Sequence, residues 1–342
     1  MSGTDPRLAR YLLSCLALAL LASIALALAT GPLSISPGEL LGMLGLSPDV
    51  PAPHIADAML QLRLPRVLLA AVAGATLAMA GAAMQGLLRN PLADPGLIGV
   101  SSGAALAGAI TLVLFSGSIA LPLLLPLSSF AGGALAAALA LWLARREGHT
   151  RIVTVLLVGL ALNGLAGAGI GFVAQLADDL ALRSLNFWMF GSLGKASWRE
   201  ILAVLPLLLL PLLLLPRHAR SLDALLLGEP EAAHLGVDTE TLKRSVLALS
   251  VLAVASTVAV AGIIGFVGLV VPHLMRLASG PDHGRLLPAS ALGGAILLVL
   301  ADTAARSLFV PSELPVGVLT ALLGAPFFLA LLLRYRHGSE LA

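Results

Sequence analysis

Apolar runs of about twenty residues alternate with short polar islands along nearly the whole chain, and a run of that length crosses a hydrocarbon core as a helix. The spacing predicts ten spans, at residues 8–29, 66–87, 97–115, 121–144, 152–176, 201–215, 245–260, 263–278, 286–309 and 316–333. One island breaks the rhythm, because residues 217–244 stay polar and amphipathic for longer than a turn requires. It reads Leu222, Leu225, Leu226, a Gly228-Glu229-Pro230 break, Ala232, Ala233, Leu235 and, after Gly236, Leu242. Two short helices around a turn, each with one apolar side, account for that order. A helix that docks in a groove on a soluble motor has this shape, and so does a solvated interfacial hairpin.

Composition places the 342 residues in lipid: 58% are hydrophobic and 11% charged, outside the range of an ordinary soluble domain. The fold class expected is all-α, a polytopic membrane protein in which residues 1–342 form one transmembrane domain. A formal charge of +2, with dispersed basic residues, argues against a nucleic-acid partner. The lone Cys15 excludes an intrachain disulfide. Arg7 and Arg10 ahead of the first run fit an uncleaved helix better than a signal peptide, since the run is long and many spans follow.

Orientation follows from the 20 basic residues. With the N-terminus inside, the inner islands hold Arg7, Arg10, Arg89, Arg145, Arg146, Arg151, Arg217, Arg220, Lys243, Arg244, Arg276, Arg285, Arg334 and Arg336. The outer ones keep only Arg63, Arg66, Arg183, Lys195, Arg199 and Arg306. This bias puts both termini and the 217–244 island in the cytoplasm. Residues 30–61, with five prolines and three acids, become a linker-like outer cap. Trp188 and Trp198 fall in the outer loop before the sixth span, a depth that suits amphipathic rings.

Several segments carry candidate chemistry. Residues 89–96, Arg-Asn-Pro-Leu-Ala-Asp-Pro-Gly, join the second and third spans with helix-ending residues and no slack. They form either a constriction at the inner end of a path or a structural hairpin. Pro272 frees a carbonyl one turn earlier in its span, and His273 beside it reads as an interhelical hydrogen-bonder in preference to a metal ligand. Asp302 and Arg306, four apart, are placed for an ion pair near the outer end of the ninth span. Gly324-Ala325-Pro326 suggests a bend in the last span. No carboxylate pair, His/Cys cluster or nucleophile elbow is present, so neither a catalytic nor a metal site is expected. With no GxxxxGK[ST] loop, any ATP must be bound by another chain.

The ordered motifs Arg63-Leu64-Pro65-Arg66, 74–85, 89–96, 265–276, Asp282-His283, Ala301-Asp302, Glu313-Leu314-Pro315-Val316-Gly317 and 324–328 closely resemble the iron-chelate and vitamin B12 class of ABC importer permeases. The resemblance runs from about residue 60 to the C-terminus. It implies a ten-helix subunit of a homodimer in a bacterial cytoplasmic (inner) membrane. Two ABC ATPase subunits, which carry the ATP and Mg, would bind its inner face. A periplasmic or lipid-anchored binding protein would bind its outer face, and this chain would hold no cofactor. Carried over by position, Asn90 and Leu92 become the cytoplasmic gate, and Arg63, Arg66 and Arg306 the docking arginines for the binding protein. Leu227, Gly228, Glu229, Ala232, Leu235 and Gly236 fall on the ATPase coupling loop. The stretches 231–237 and 272–283 favour an iron chelate, haem or a ferric siderophore, over cobalamin. An ion-coupled secondary transporter is the alternative of another class, with Asp302 as its only serious acid.

Overall fold

The apolar runs are helices in the computed structural model, which describes residues 6–31, 35–43, 45–49, 51–146, 149–308 and 312–339. In lipid every backbone polar group must be satisfied within the chain, and a helix does that segment by segment. The order begins α1 (Pro6–Ala29), α2 (Pro37–Met43), α3 (Pro53–Ala58), α4 (Leu64–Leu87), α5 (Val100–Leu114), α6 (Leu121–Ala144) and α7 (Ile152–Gln175). It continues through α8 (Asp179–Met189), α9 (Trp198–Leu214), α10 (Ala219–Leu225), α11 (Glu229–His234), α12 (Thr239–Ala261), α13 (Val267–Ser279), α14 (His283–Ser307) and α15 (Val316–Ser339). Among the described residues the only strands are the two-residue pair Arg145–Arg146 and His149–Thr150, a hairpin between α6 and α7.

Seven of these helices are long and apolar enough to cross a membrane, and α5, α13 and the Val316–Leu331 part of α15 are shorter apolar segments. Together they account for the ten expected spans. Two local differences have physical causes. The outer cap contains short helices: α2 and α3 each begin with a proline, whose fixed φ suits a first turn. An eighth helix, α8, forms in the loop that was to hold Trp188, started by the Asp178 carboxylate accepting from Ala181 N at 2.7 Å. The last span is a single helix with Pro326 inside it, so the Gly324-Ala325-Pro326 segment does not end the helix.

α4 is the central post. Most of its residues from Val67 to Leu87 are buried, whereas in the spans of α1, α6, α7 and α9 fewer than a third of the residues are. Its small residues allow the close approach: a Cβ on Gly74 would overlap the carbonyl oxygen of Gly294 in α14, and one on Gly81 would overlap that of Gly268 in α13. α13 is kept short by a non-helical stretch, residues 262–265, and by Phe266, whose φ of 67° lies in the left-handed region. Pro272 removes the amide that would serve the Gly268 carbonyl. The Gln85 amide of α4 donates instead to Gly268 O at 3.5 Å and to Leu269 O at 3.3 Å.

Candidate functional site

At the end of the bundle where α1 and α14 stop and α4 begins, five charged side chains converge. Arg66 donates from Nε to both oxygens of Asp302 at 3.0 Å, and from Nη1 to Glu313 at 3.0 and 3.2 Å. The anticipated Asp302–Arg306 pair is present at 3.7 Å, behind the stronger Arg66 contact. The last carbonyls of α1 have no partner within their own helix. Arg63 Nη1 donates to Leu28 O at 2.9 Å, Arg306 Nη1 to Thr30 O at 2.7 Å, and Arg306 Nη2 to Ala27 O. Two guanidinium groups therefore cap this helix C-terminus, where positive charge is also favoured by the helix dipole. The structure brings Arg63, Arg66 and Arg306 together, but turned inward: Arg63 is 8% and Arg306 4% exposed. Glu313, 39% exposed at its side chain, is the part of the network that meets solvent.

At the opposite end, α4 closes in a Schellman motif: Arg89 N bonds to Gly86 O at 3.2 Å and Asn90 N to Gln85 O at 3.1 Å. The left-handed position belongs to Arg89, at φ 48°, where glycine is usual. Asn90 is exposed and its Oδ1 accepts from Leu92 N at 2.9 Å, so the two candidate gate residues form one Asx turn. Asp94 Oδ1 then accepts from Gly96 N at 2.7 Å and starts a 3-10 turn, Pro95–Ile98, into α5. A cavity of about 410 Å³ lies under this turn, lined by Gln85, Arg89, Asn90, His273 and His283 together with Leu226 of the 217–244 island. His273 departs from its expected role. Its Nδ1 is buried with no hydrogen-bond partner among the described residues, and its ring meets Phe327 edge-on at 5.9 Å.

The two short helices of the island form as α10 and α11. Leu222, Leu225, Ala232 and Leu242 are buried beneath them, while Leu227 and Leu235 are 67% and 65% exposed. Gly228 adopts φ 131° at the turn, and Gly236, at φ 84°, closes α11 in a second Schellman motif. Lys243 holds Glu229 at 2.6 Å. The Asp238 carboxylate caps α12, and the Thr241 hydroxyl and amide hold its pKa below the usual value. A carboxyl shifted that way keeps its cap at neutral pH and loses it only in acid below the usual carboxylate range.

Two contacts of the island were not visible in the sequence. Asp223 Oδ1 accepts from the His283 backbone amide at 2.9 Å and faces its Nδ1 at 2.6 Å, which fastens α10 to the start of α14. Glu240 accepts from Thr150 N at 3.1 Å and its hydroxyl at 2.6 Å, which fastens α12 to the hairpin before α7. The Asp282-His283 dipeptide at a span start was the available signal for the first. Among the described residues no three His, Cys, Asp or Glu side chains gather as a metal site.

A helical membrane bundle with an ordered turn at one end, a cavity beneath it and a projecting helical island is the frame of a transport permease. The match to the model of the FecCD transport family extends over residues 19–334, and the chain belongs to that family. It is 49% identical to the hemin transport system permease protein HmuU of Yersinia pestis, over 81% of this chain and 84% of that one. It is 44% identical to the vitamin B12 import system permease protein BtuC of Vibrio parahaemolyticus, over 81% and 82%. A solved metal-chelate type ABC transporter, described in an inward-facing conformation, superimposes with a TM-score of 0.84 at 35% identity, covering 95% of this chain and 99% of that one. The chain is thus an ABC importer permease: it has ATPase and binding-protein partners, it is not itself an ATPase, and ATP is bound by the partner. That membership sets aside the ion-coupled alternative.

Proposed function

We propose that this permease, a single transmembrane domain over residues 1–342, imports an iron chelate, with haem as cargo, as a homodimer in a bacterial cytoplasmic membrane. The observation that carries the cargo is the 49% identity to a hemin permease across most of both chains. Cobalamin is the second reading, favoured by relatives at 44% identity. A ferric siderophore is the other iron chelate in reach of the same fold.

Two ATPase subunits bind the cytoplasmic island, where Leu227 and Leu235 project just past the ends of α10 and α11 while Gly228, Glu229, Ala232 and Gly236 hold the turn and its packing. Closure of the ATPase dimer moves the island and changes access at the turn of Asn90 and Leu92. The binding protein docks at the Arg63, Arg66 and Arg306 end. Arg66 exchanges its half-exposed partner Glu313 for a carboxylate of the binding protein, and Arg63 and Arg306 keep the acceptor surface rigid. The second copy packs along α7, whose Gly164, Gly167 and Gly171 face open space within one chain. Both termini lie in the cytoplasm, in keeping with the charge bias.

Proteoliposomes holding permease, ATPase and binding protein test this reading with haemin, a ferric siderophore and cobalamin as separate probes. ATP-driven haemin uptake that persists with an uncoupler is expected. Uptake of cobalamin without haemin would move the assignment to the second reading, and haemin uptake without the ATPase would contradict the coupling.

A further inference from the structure

The Asp223–His283 contact extends beyond the two residues that make it. The His283 side chain is only 2% exposed, and its ring bridges two elements. On one side Asp223 of α10 accepts from both its amide and its Nδ1, so the carboxylate fixes the ring's orientation as well as the start of α14. On the other side the ring lies on Gly86 of α4: a Cβ there would overlap Nε2 and stand 2.9 Å from Cε1. Gly86 is no ordinary helical residue. Its carbonyl accepts from Arg89 N in the Schellman motif, and Gln85 beside it accepts from Asn90 N. Only Leu87 and Leu88 therefore separate the atoms under the imidazole from Arg89, and the turn of Asn90 and Leu92 follows immediately.

We propose that His283 is a positioning residue that carries displacement of α10 to the Asn90–Leu92 turn, through Asp223 on one side and Gly86 on the other. The inference rests on the reading that the 217–244 island contacts the ATPase and that this turn is the inner gate. A buried imidazole suits the task, because a planar ring pressed on a glycine backbone and held by a carboxylate has no free rotamer to absorb the movement. Glycine is required at position 86 for the same reason: any side chain would push the ring from Asp223. The neighbouring Glu240–Thr150 contact ties the same island to the hairpin before α7, and it does not touch the turn. The two links are therefore separable by mutation.

The test uses the full complex with its ATPase subunits in nanodiscs, on a Cys15→Ser background with Leu92→Cys as reporter and a membrane-impermeant maleimide as probe. The labelling rate is compared without nucleotide and with ATP and vanadate. His283→Asn keeps a donor where Nδ1 stood and removes the atoms that bear on Gly86, and Asp223→Ala removes the other arm. Both are expected to shrink the nucleotide-dependent change in labelling by about 2- to 30-fold, the range for residues that carry coupling. ATPase binding, ATP hydrolysis and the thermal midpoint should stay close to those of the parent. Should His283→Asn fail to fold, Asp223→Ala carries the test, since the Asp223 side chain is already 33% exposed. A full nucleotide response in the folded, assembled variants would overturn the proposal. Failure of the unaltered permease to bind the ATPase, or to respond to nucleotide at Leu92→Cys, would instead contradict the reading on which it rests.

Discussion

Arg66 donates to both carboxylate oxygens of Asp302 at 3.0 Å, although 236 residues separate them in the chain. The contact joins the start of α4 to the end of α14, and Asp302 is 1% exposed. Buried ion pairs add little over an apolar replacement of the whole pair, but removing one partner strands a charge. Asp302→Ala should therefore lower stability by about 3–5 kcal/mol, read by chemical unfolding in detergent. Glu313→Ala, at a half-exposed carboxylate, should cost less than about 1 kcal/mol. Equal losses in the two would mean that the cluster is not organised around Asp302.

The crossing of α4 and α13 permits no side chain at Gly81, because a Cβ would overlap the Gly268 carbonyl. Gly81→Ala should destabilise by about 1–3 kcal/mol as the helices are forced apart, despite alanine's better helix propensity. Gly164→Ala on α7 meets nothing within 4 Å in the chain and serves as the contrast. Thermal unfolding of the monomeric chain distinguishes them.

Arg89 adopts a left-handed conformation at the end of α4, at a position where glycine carries no strain. Arg89→Gly should raise stability by about 1–2 kcal/mol while removing a guanidinium from the lining of the cavity beneath the turn. A higher unfolding midpoint with altered transport is the expected outcome, and an unchanged midpoint would show that the strain is relieved by some other contact.

The number of spans was legible because lipid leaves the backbone one economical solution, and the length of each apolar run reports it. The island was legible because Gly228-Glu229-Pro230 and Gly236 punctuate it with residues that end helices. What was not legible depends on distance. Arg63 and Arg306 read as outward docking groups by position alone, yet each finds carbonyls at the end of α1 that no local pattern announces. The same holds for Asp223 and His283, which lie 60 residues apart. α8 had a local signal, the Asp178 cap before Leu180 and Leu182, but its short length hid it among loop residues.

The proposed docking at the Arg66 end is separable from stability through Glu313. Arg66→Glu places three acids together, so it should weaken both the fold and capture of the binding protein. Glu313→Gln vacates a place beside Arg66 without burying a charge, and it should leave capture intact or strengthen it several-fold. Surface-capture measurements with the loaded binding protein decide this, and weakened capture by Glu313→Gln would contradict the exchange of carboxylates at Arg66.

The account depends most on the island at residues 217–244 being the cytoplasmic contact for the ATPase. The direct measurement is a Leu227→Cys reporter on the Cys15→Ser background, probed in oriented vesicles by impermeant maleimide from each side and by cross-linking to the ATPase subunit. Labelling from the cytoplasmic side alone, blocked by bound ATPase and accompanied by a cross-link to it, is the expected result. Labelling from the periplasmic side, or no protection by the ATPase, would contradict the account.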